Sequence, residues 1–333
     1  MHRTDSLDRF MADVRAGLRA SPKRLSPEYF YDALGSRLFE AICQLPWYPL
    51  TRAERALLER HAEEMVAPFG EGASIVELGC GSGEKLALLA APLCKRLPRL
   101  DVHLVDVSET ALDLSRRTLS RLPRVEVSAH RARYEEGLCA ATARRLPGAD
   151  GVRGGGGGPV LVLFLGSNIG NLDPDAAAAF LADVRASLRA GDALLLGADL
   201  VKPAAELLLA YDDPLGVTAA FNKNLLSRIN RELGAAIDLR SFDHRAVWNA
   251  ERARVEMHLV SRRRQVIRVS AIDLEVAFEE GESIWTESSH KYEPGEVVHM
   301  GERAGFRCDR QWIEEAGRFS TTLLIAEERA ARR

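Results

Sequence analysis

Ile75-Val76-Glu77-Leu78-Gly79-Cys80-Gly81-Ser82-Gly83 decides the fold. A short apolar run enters three glycines spaced two apart, and a helical pattern follows from Glu84 to Ala91. A strand, a glycine turn and a helix in that order make a nucleotide-binding opening. Glycine lets the backbone turn tightly and approach a ligand with no Cβ in the way. The spacing is not the G-x-G-x-x-G of dinucleotide dehydrogenases. Glu77, two residues ahead of the first glycine, departs from that pattern as well. Cys80 lies inside the turn, where a small residue that fits is a simpler account than a catalytic thiol.

Around this opening the chain alternates strand and helix. A second strand runs from Asp101 to Asp106, with Ser108-Glu109-Thr110 opening the next helix. A third lies near Val125-Glu126-Val127. A fourth, Pro159 to Leu165, is the continuous apolar run of a central parallel strand. Helix 174–189 and a fifth strand at 192–198 follow. The alternation argues for a doubly wound parallel sheet. Upstream, residues 6–19 carry apolar side chains at helical spacing. Further helices are expected over 35–44 and 51–66, the latter opened by a Thr51/Glu54 capping box. After Asp199 the pattern changes. Helical sequence runs from Pro203 to Leu233, then Ala253–Val260 and Gln265–Val269 read as a hairpin joined by Ser261-Arg262-Arg263-Arg264. Strand-like sequence follows at 272–278 and 283–292. Helix 294–304 and strands at 306–312 and 319–326 would return to the first sheet. The glycine run Gly154 to Gly158 reads as a surface insertion.

Composition bounds the function. The 333 residues carry a net charge of −3, with 46% hydrophobic and 28% charged residues, so nothing in the overall charge favours nucleic acid. No apolar run reaches membrane-spanning length, and no signal-peptide core is present. The five cysteines include no C-x-x-C spacing, which argues for free thiols in a reducing cytosol and against a zinc site. A cytoplasmic, monomeric enzyme with a small-molecule substrate, no metal, no nucleic acid and no membrane is expected.

Several constellations can carry chemistry. Asp106 ends the second strand, where a carboxylate can accept hydrogen bonds from both hydroxyls of a ribose. Phe164-Leu165-Gly166-Ser167-Asn168-Ile169-Gly170-Asn171-Leu172-Asp173-Pro174 begins at the carboxyl end of the fourth strand, where ligands of open parallel sheets bind. An Asn side chain both donates and accepts, so this stretch can grip an amino acid; it is equally good turn chemistry. Tyr211-Asp212-Asp213 is either part of a site or a solvated helix face. Along Trp285-Thr286-Glu287-Ser288-Ser289, alternation puts Glu287 and Ser289 on one strand face, lining a pocket or facing solvent. Met257 is most simply core packing.

The glycine turn resembles motif I of the S-adenosylmethionine (SAM) methyltransferases. With the blocks Tyr29–Ser36, Leu45-Pro46 through Thr51–Glu54, Ser167–Pro174, Ala210–Asp213, Gly216–Asn222 and Thr286–Ser289, nearly the whole chain resembles the L-histidine Nα-methyltransferases of the ergothioneine pathway. These use SAM to make the betaine hercynine. The resemblance implies an α/β fold, a Rossmann-like SAM methyltransferase core with a second α+β substrate-binding domain. Residues 62–202 and 291–333 would form the core, and 1–61 and 203–290 the substrate-binding domain. Glu77, Gly79, Gly81, Gly83, Lys85 and Asp106 would hold SAM, with Tyr134 against the adenine. Asn171 and Tyr211 would hold the substrate carboxylate and amine. Gly166 would offer a backbone group, and Tyr31 would reach the amine, through water if needed. Glu287 and Ser289 would bind the imidazole, with Met257 and Phe39 shaping the pocket. Tyr31 and Asn171 are the candidate catalytic residues.

Two positions depart from the family. Pro49 replaces the second Tyr of Tyr-Tyr-Pro, so either Tyr48 swings in or the ring end of the pocket differs. Arg133-Tyr134 replaces Asp-Phe near the adenine, and Arg133 cannot accept a hydrogen bond from its amino group. The nearest alternative is therefore the same fold acting on another amino acid such as tryptophan or tyrosine. An NAD-dependent oxidoreductase is disfavoured by the glycine spacing, and a non-catalytic SAM-binding protein by the nearly complete amino-acid site.

Overall fold

The computed structural model describes residues 3–143 and 157–328. Of the glycine run read as an insertion, 154–156 lie outside the described residues. Gly158 is packed so closely on Gly72 that a Cβ would stand 2.3 Å from its carbonyl. The chain divides into two compact units, Leu50–Val201 with Lys291–Arg333 and Met1–Pro49 with Lys202–His290.

The larger unit is built on a seven-stranded sheet, whose strands we number β1 (Ser74–Leu78), β2 (Leu100–Asp106), β3 (Val125–Arg131), β4 (Val160–Phe164), β5 (Ala193–Asp199), β6 (Phe306–Glu314) and β7 (Phe319–Ala326). Their order across the sheet is β3-β2-β1-β4-β5-β7-β6. The first five are parallel, and β7 is antiparallel to both β5 and β6. Every residue of β1, β4 and β5 is buried, because helices cover both faces. Val76, Leu78, Val162, Phe164, Leu194 and Leu196 share one core with the helices Tyr134–Thr142 and Pro174–Ser187. The period of two turns Glu77 and Gly197 to the opposite face. Each fully buried Val or Leu contributes about 1.5–3 kcal/mol, and on that opposite face Gly197 of β5 has one charged neighbour.

That neighbour comes from the helix Leu50–Met65, which corrects two expectations. It packs on the helix Glu84–Arg96 and on β6 and β7, so it belongs to the larger unit and not to a substrate-binding domain ending at residue 61. The apolar stripe Leu57, Leu58 and Met65, fully buried, gives the reason. Thr51 is also not an N-cap. The helix begins at Leu50, directly after Pro49, and Glu54 turns its carboxylate to the Gly166 N–H at 2.8 Å instead of closing a capping box.

The smaller unit is α+β. A four-stranded sheet runs in the order Lys23–Arg24, Ser283–His290, Arg254–Ser261, Phe242–Asn249, and Gln265–Val269 pairs separately with Leu274–Phe278. The expected hairpin between 253–260 and 265–269 is therefore wrong. Both segments are strands, but the chain changes sheets at Arg262–Arg264. Arg254–Ser261 lies between Phe242–Asn249 and Ser283–His290. The strand Phe242–Asn249 left no periodic signal, because Asp243, His244 and Arg245 interrupt its apolar alternation. The helices Ala33–Gln44, Ala204–Tyr211 and Val217–Leu233 belong to this unit.

Candidate active site

In the larger unit, strand order reverses between β1 and β4, which pair in parallel. Ligands of open parallel sheets bind beyond the carboxyl ends of such strands. The glycine turn leaves β1 there and the Gly166–Asn171 loop leaves β4. Gly79, Gly81 and Gly83 all have positive φ, at 79°, 50° and 73°. A Cβ at Gly79 would stand 2.9 Å from the Asn168 amide and 3.3 Å from the Tyr134 hydroxyl, so the two loops close on each other. A Cβ at Gly81 would meet nothing within 4 Å, which leaves that face of the turn open. The helix Glu109–Leu119 fixes the turn from behind. Ser115 Oγ donates to the Gly81 carbonyl at 3.0 Å, and Thr118 Oγ1 donates to that of Ser82 at 2.8 Å.

Two carboxylates face this turn. Asp106 Oδ1 accepts the Ser108 N–H at 2.8 Å and Oδ2 lies 3.5 Å from the Gly81 N–H. Burial raises its pKa, against the pull of those donors. Glu77 is buried, and its Oε2 has no hydrogen-bond partner. Burial holds its carboxyl well above the usual range; the Lys85 ammonium pulls it down, and the charges of Glu54 and Asp106 push it further up. A buried, unpaired carboxylate oxygen is costly unless a ligand donor meets it. These residues fit a nucleoside held by its ribose with a cationic group near Glu77, which is the charge pattern of SAM. Burial also pushes the Cys80 thiol up, so it stays un-ionised, as a small residue filling the turn would.

Lys85 and Gly166 have commitments the sequence did not reveal. Lys85 is ion-paired with the fully buried Glu54, whose carboxylate also accepts the Gly166 N–H. Gly197 leaves room for this carboxylate, since a Cβ there would stand 2.3 Å from Glu54 Oε1. The Gly166 N–H is thus occupied, and its carbonyl is the backbone group it can offer. The Tyr134 ring packs edge-on against Phe164 at 5.1 Å and Phe180 at 5.9 Å. Its hydroxyl reaches the turn at Gly79. Asn171 ends a 3-10 turn, Asn168–Asn171, that is seated by Ser167 Oγ accepting the Asp199 N–H at 2.9 Å. Asp199 in turn pairs with the buried Lys291 at 2.9 Å.

In the smaller unit the expected residues fall into two groups. Tyr31, Phe39 and Phe221 form an aromatic trio with centroids 5.7–6.0 Å apart. Tyr31 is held in place by its neighbour Asp32, which caps the helix Ala33–Gln44 through the Gly35 N–H and accepts the Asn224 amide at 2.8 Å. Only glycine fits at 35, because a Cβ would fall 1.7 Å from the Phe30 carbonyl. The second group lies on the sheet. Tyr211 OH donates to Ser289 Oγ at 2.7 Å, and Tyr48 packs edge-on against Tyr211 at 6.1 Å. Tyr48 is buried, so its ring turns inward beside Pro49. Glu287 lies directly across from Met257, and Ser289 across from Val255, on one sheet face.

Three further residues of the smaller unit were given no site role from the sequence, although Phe221 and Asn222 lie in the Gly216–Asn222 block. Phe221 completes the aromatic trio. The fully buried Asn222 places its amide 2.9 Å from His244 Nδ1, and His244 Nε2 lies 2.8 Å from the Tyr211 carbonyl. Asn222 donating to Nδ1 leaves the proton on Nε2, so His244 is the neutral tautomer that holds Tyr211 in place. Burial lowers its pKa, in keeping with that tautomer. Asp213 is structural: it accepts the Thr218 N–H at 2.7 Å and the Leu215 N–H at 3.0 Å, closing the turn before Val217–Leu233.

The β3-β2-β1-β4-β5-β7-β6 sheet, the glycine turn at its reversal point and the paired acids Glu77 and Asp106 define a Rossmann-like methyltransferase core. Comparison with known proteins narrows the class. The family described as histidine-specific, SAM-dependent methyltransferase matches residues 10–326. The histidine N-alpha-methyltransferase of Mycolicibacterium smegmatis is 42% identical over 318 residues, covering 94% of each chain. That of Mycobacterium tuberculosis is 42% identical over 316 residues, covering 93% of each. Ergothioneine biosynthesis protein 1 of Schizosaccharomyces pombe is 26% identical over 312 residues, which is 91% of this chain and 39% of that protein. The chain belongs to the histidine-specific SAM-dependent methyltransferases. Its cofactor is SAM.

Proposed function

We propose that this enzyme transfers three methyl groups from SAM to the α-amine of L-histidine, forming hercynine, the first step of ergothioneine biosynthesis. The pairing of Glu287 and Ser289 on the sheet face that carries Met257 supports this reading most directly. A carboxylate accepts an imidazole N–H and a hydroxyl can serve the other ring nitrogen, so the two together suit a histidine side chain. In the larger unit, Asn171 and the Gly166 carbonyl are assigned to the amino-acid carboxylate and amine; in the smaller, Tyr211 is assigned to the same groups. Glu77, Gly79, Gly81, Gly83 and Asp106 hold the cofactor. Lys85 acts there through Glu54, and Tyr134 contributes its hydroxyl at the turn.

When bound, SAM supplies a sulfonium methyl for in-line attack. The attacking amine needs its lone pair, so it reacts in the neutral form. Nitrogen–carbon bond formation accompanies sulfur–carbon cleavage, and the amine proton leaves by Tyr31 and water. Positioning of the amine can supply roughly 7–11 kcal/mol of the barrier, so no strong base is required. Tyr31, Phe39 and Phe221 offer aromatic faces to the increasingly methylated cation, each worth about 0.5–2 kcal/mol.

Replacing Glu287 tests the substrate assignment. Removing the acceptor should cost about 1–3 kcal/mol, or about 5- to 150-fold in kcat/KM for histidine, and relax selectivity toward tryptophan and tyrosine. Initial rates of Glu287→Ala with the three amino acids measure this. Unchanged histidine turnover would show that the ring is bound elsewhere.

A further inference from the structure

The strand Ser283–His290 does not run in uniform register. Trp285 lies across from His258, but the next residue of the neighbouring strand, Met257, lies across from Glu287, so Thr286 is an extra residue. This bulge reverses which side chains face inward. The buried residues of the neighbouring strand are Val255, Met257, Leu259 and Ser261. Ile284 meets Leu259 on that face before the bulge, and Glu287 and Ser289 meet Met257 and Val255 on it afterwards. In uniform register Thr286 would lie across from Met257 and Ser288 across from Val255. Glu287 would lie across from Glu256, on the opposite face and against a like charge.

Two side chains hold the bulge. Thr286 is buried at 1% exposure and its Oγ1 donates to the Met257 carbonyl at 2.9 Å. Trp285 Nε1 donates to the Glu287 carbonyl at 2.9 Å. We propose that Thr286 is a positioning residue for substrate recognition, its hydroxyl fixing the bulge that presents Glu287 and Ser289 to the amino-acid side chain. This rests on the reading of Glu287 and Ser289 as the ring-binding pair.

Steady-state kinetics of Thr286→Val, Thr286→Ser and Trp285→Phe, beside wild type, test the proposal. Valine keeps the branched shape and removes the donor, whereas serine keeps the donor. Thr286→Val should raise the histidine KM about tenfold, the size expected for one lost hydrogen bond. Its kcat and its KM for SAM should stay within about twofold of wild type, because the loss falls on substrate binding alone. Thr286→Ser should behave as wild type. Trp285→Phe should move the histidine KM in the same direction, and it carries the test should Thr286→Val fail to fold. Wild-type kinetics for Thr286→Val, equal rises in both KM values, or a Thr286→Ser as impaired as the valine variant would overturn the role. A wild type that methylates tryptophan or tyrosine but not histidine would instead overturn the substrate reading. The same KM split would then be read with that amino acid.

Discussion

At the residue scale, the buried Glu77 carries a testable electrostatic consequence for cofactor binding. Its buried carboxyl is held well above the usual range, chiefly by burial, and one oxygen has no partner. A cation placed beside it favours the ionised form. SAM binding should therefore release protons wherever the free enzyme holds Glu77 protonated, and affinity should rise with pH as the group ionises. Calorimetry in two buffers of different ionisation enthalpy measures the release. Glu77→Gln should abolish it and weaken SAM binding about 10- to 100-fold, the range for a hydrogen bond to a charged group. Proton uptake, or release that persists in the variant, would assign the charge coupling elsewhere. Glu77 was legible in the sequence because its place before the glycines is distinctive. Glu54 was not. Three residues after Thr51 it reads as a capping box, and only the fold shows it buried against Lys85 and Gly166.

At the scale of elements, the βα alternation was readable because parallel strands buried on both faces are continuous apolar runs, as in Val160–Phe164. The smaller unit was harder to read. Phe242–Asn249 carries charge where alternation was needed, and the sheet change at Arg262–Arg264 looks locally like a hairpin turn. The bulge at Thr286 adds one residue without marking itself in composition. Alternation from Glu287 to Ser289 could be read locally, but which face they occupy depends on that bulge. The strand that was missed carries His244, which joins Asn222 to the Tyr211 carbonyl. Burial lowers the pKa of His244 and of His258. Their unfolded value is about 6.5, so the stability they contribute is present above that pH and lost as pH falls through the lowered folded values. The melting temperature should fall as pH drops from about 6.5 to 5. His244→Gln should flatten that fall. An unchanged slope in the variant would show that His244 is not among the groups responsible.

At the scale of the whole molecule, the family profile spans residues 10–326 and so includes both compact units. The residues proposed to hold the cofactor lie in the larger unit, and Tyr31, Phe39, Tyr211, Glu287 and Ser289 lie in the smaller. Among the described residues no helix is long and apolar enough to cross a membrane, and no cluster of His, Cys, Asp or Glu is placed to hold a metal ion. The chemistry proposed for the chain asks for positioning, a neutral amine and an aromatic setting for the product cation. Specificity for histidine is its central claim. Mass spectrometry of the purified protein incubated with SAM and L-histidine, with tryptophan and tyrosine in parallel, tests that claim most directly. Histidine gaining three methyl groups, with little product from the other two, is the predicted result. Product from tryptophan or tyrosine with none from histidine would contradict it.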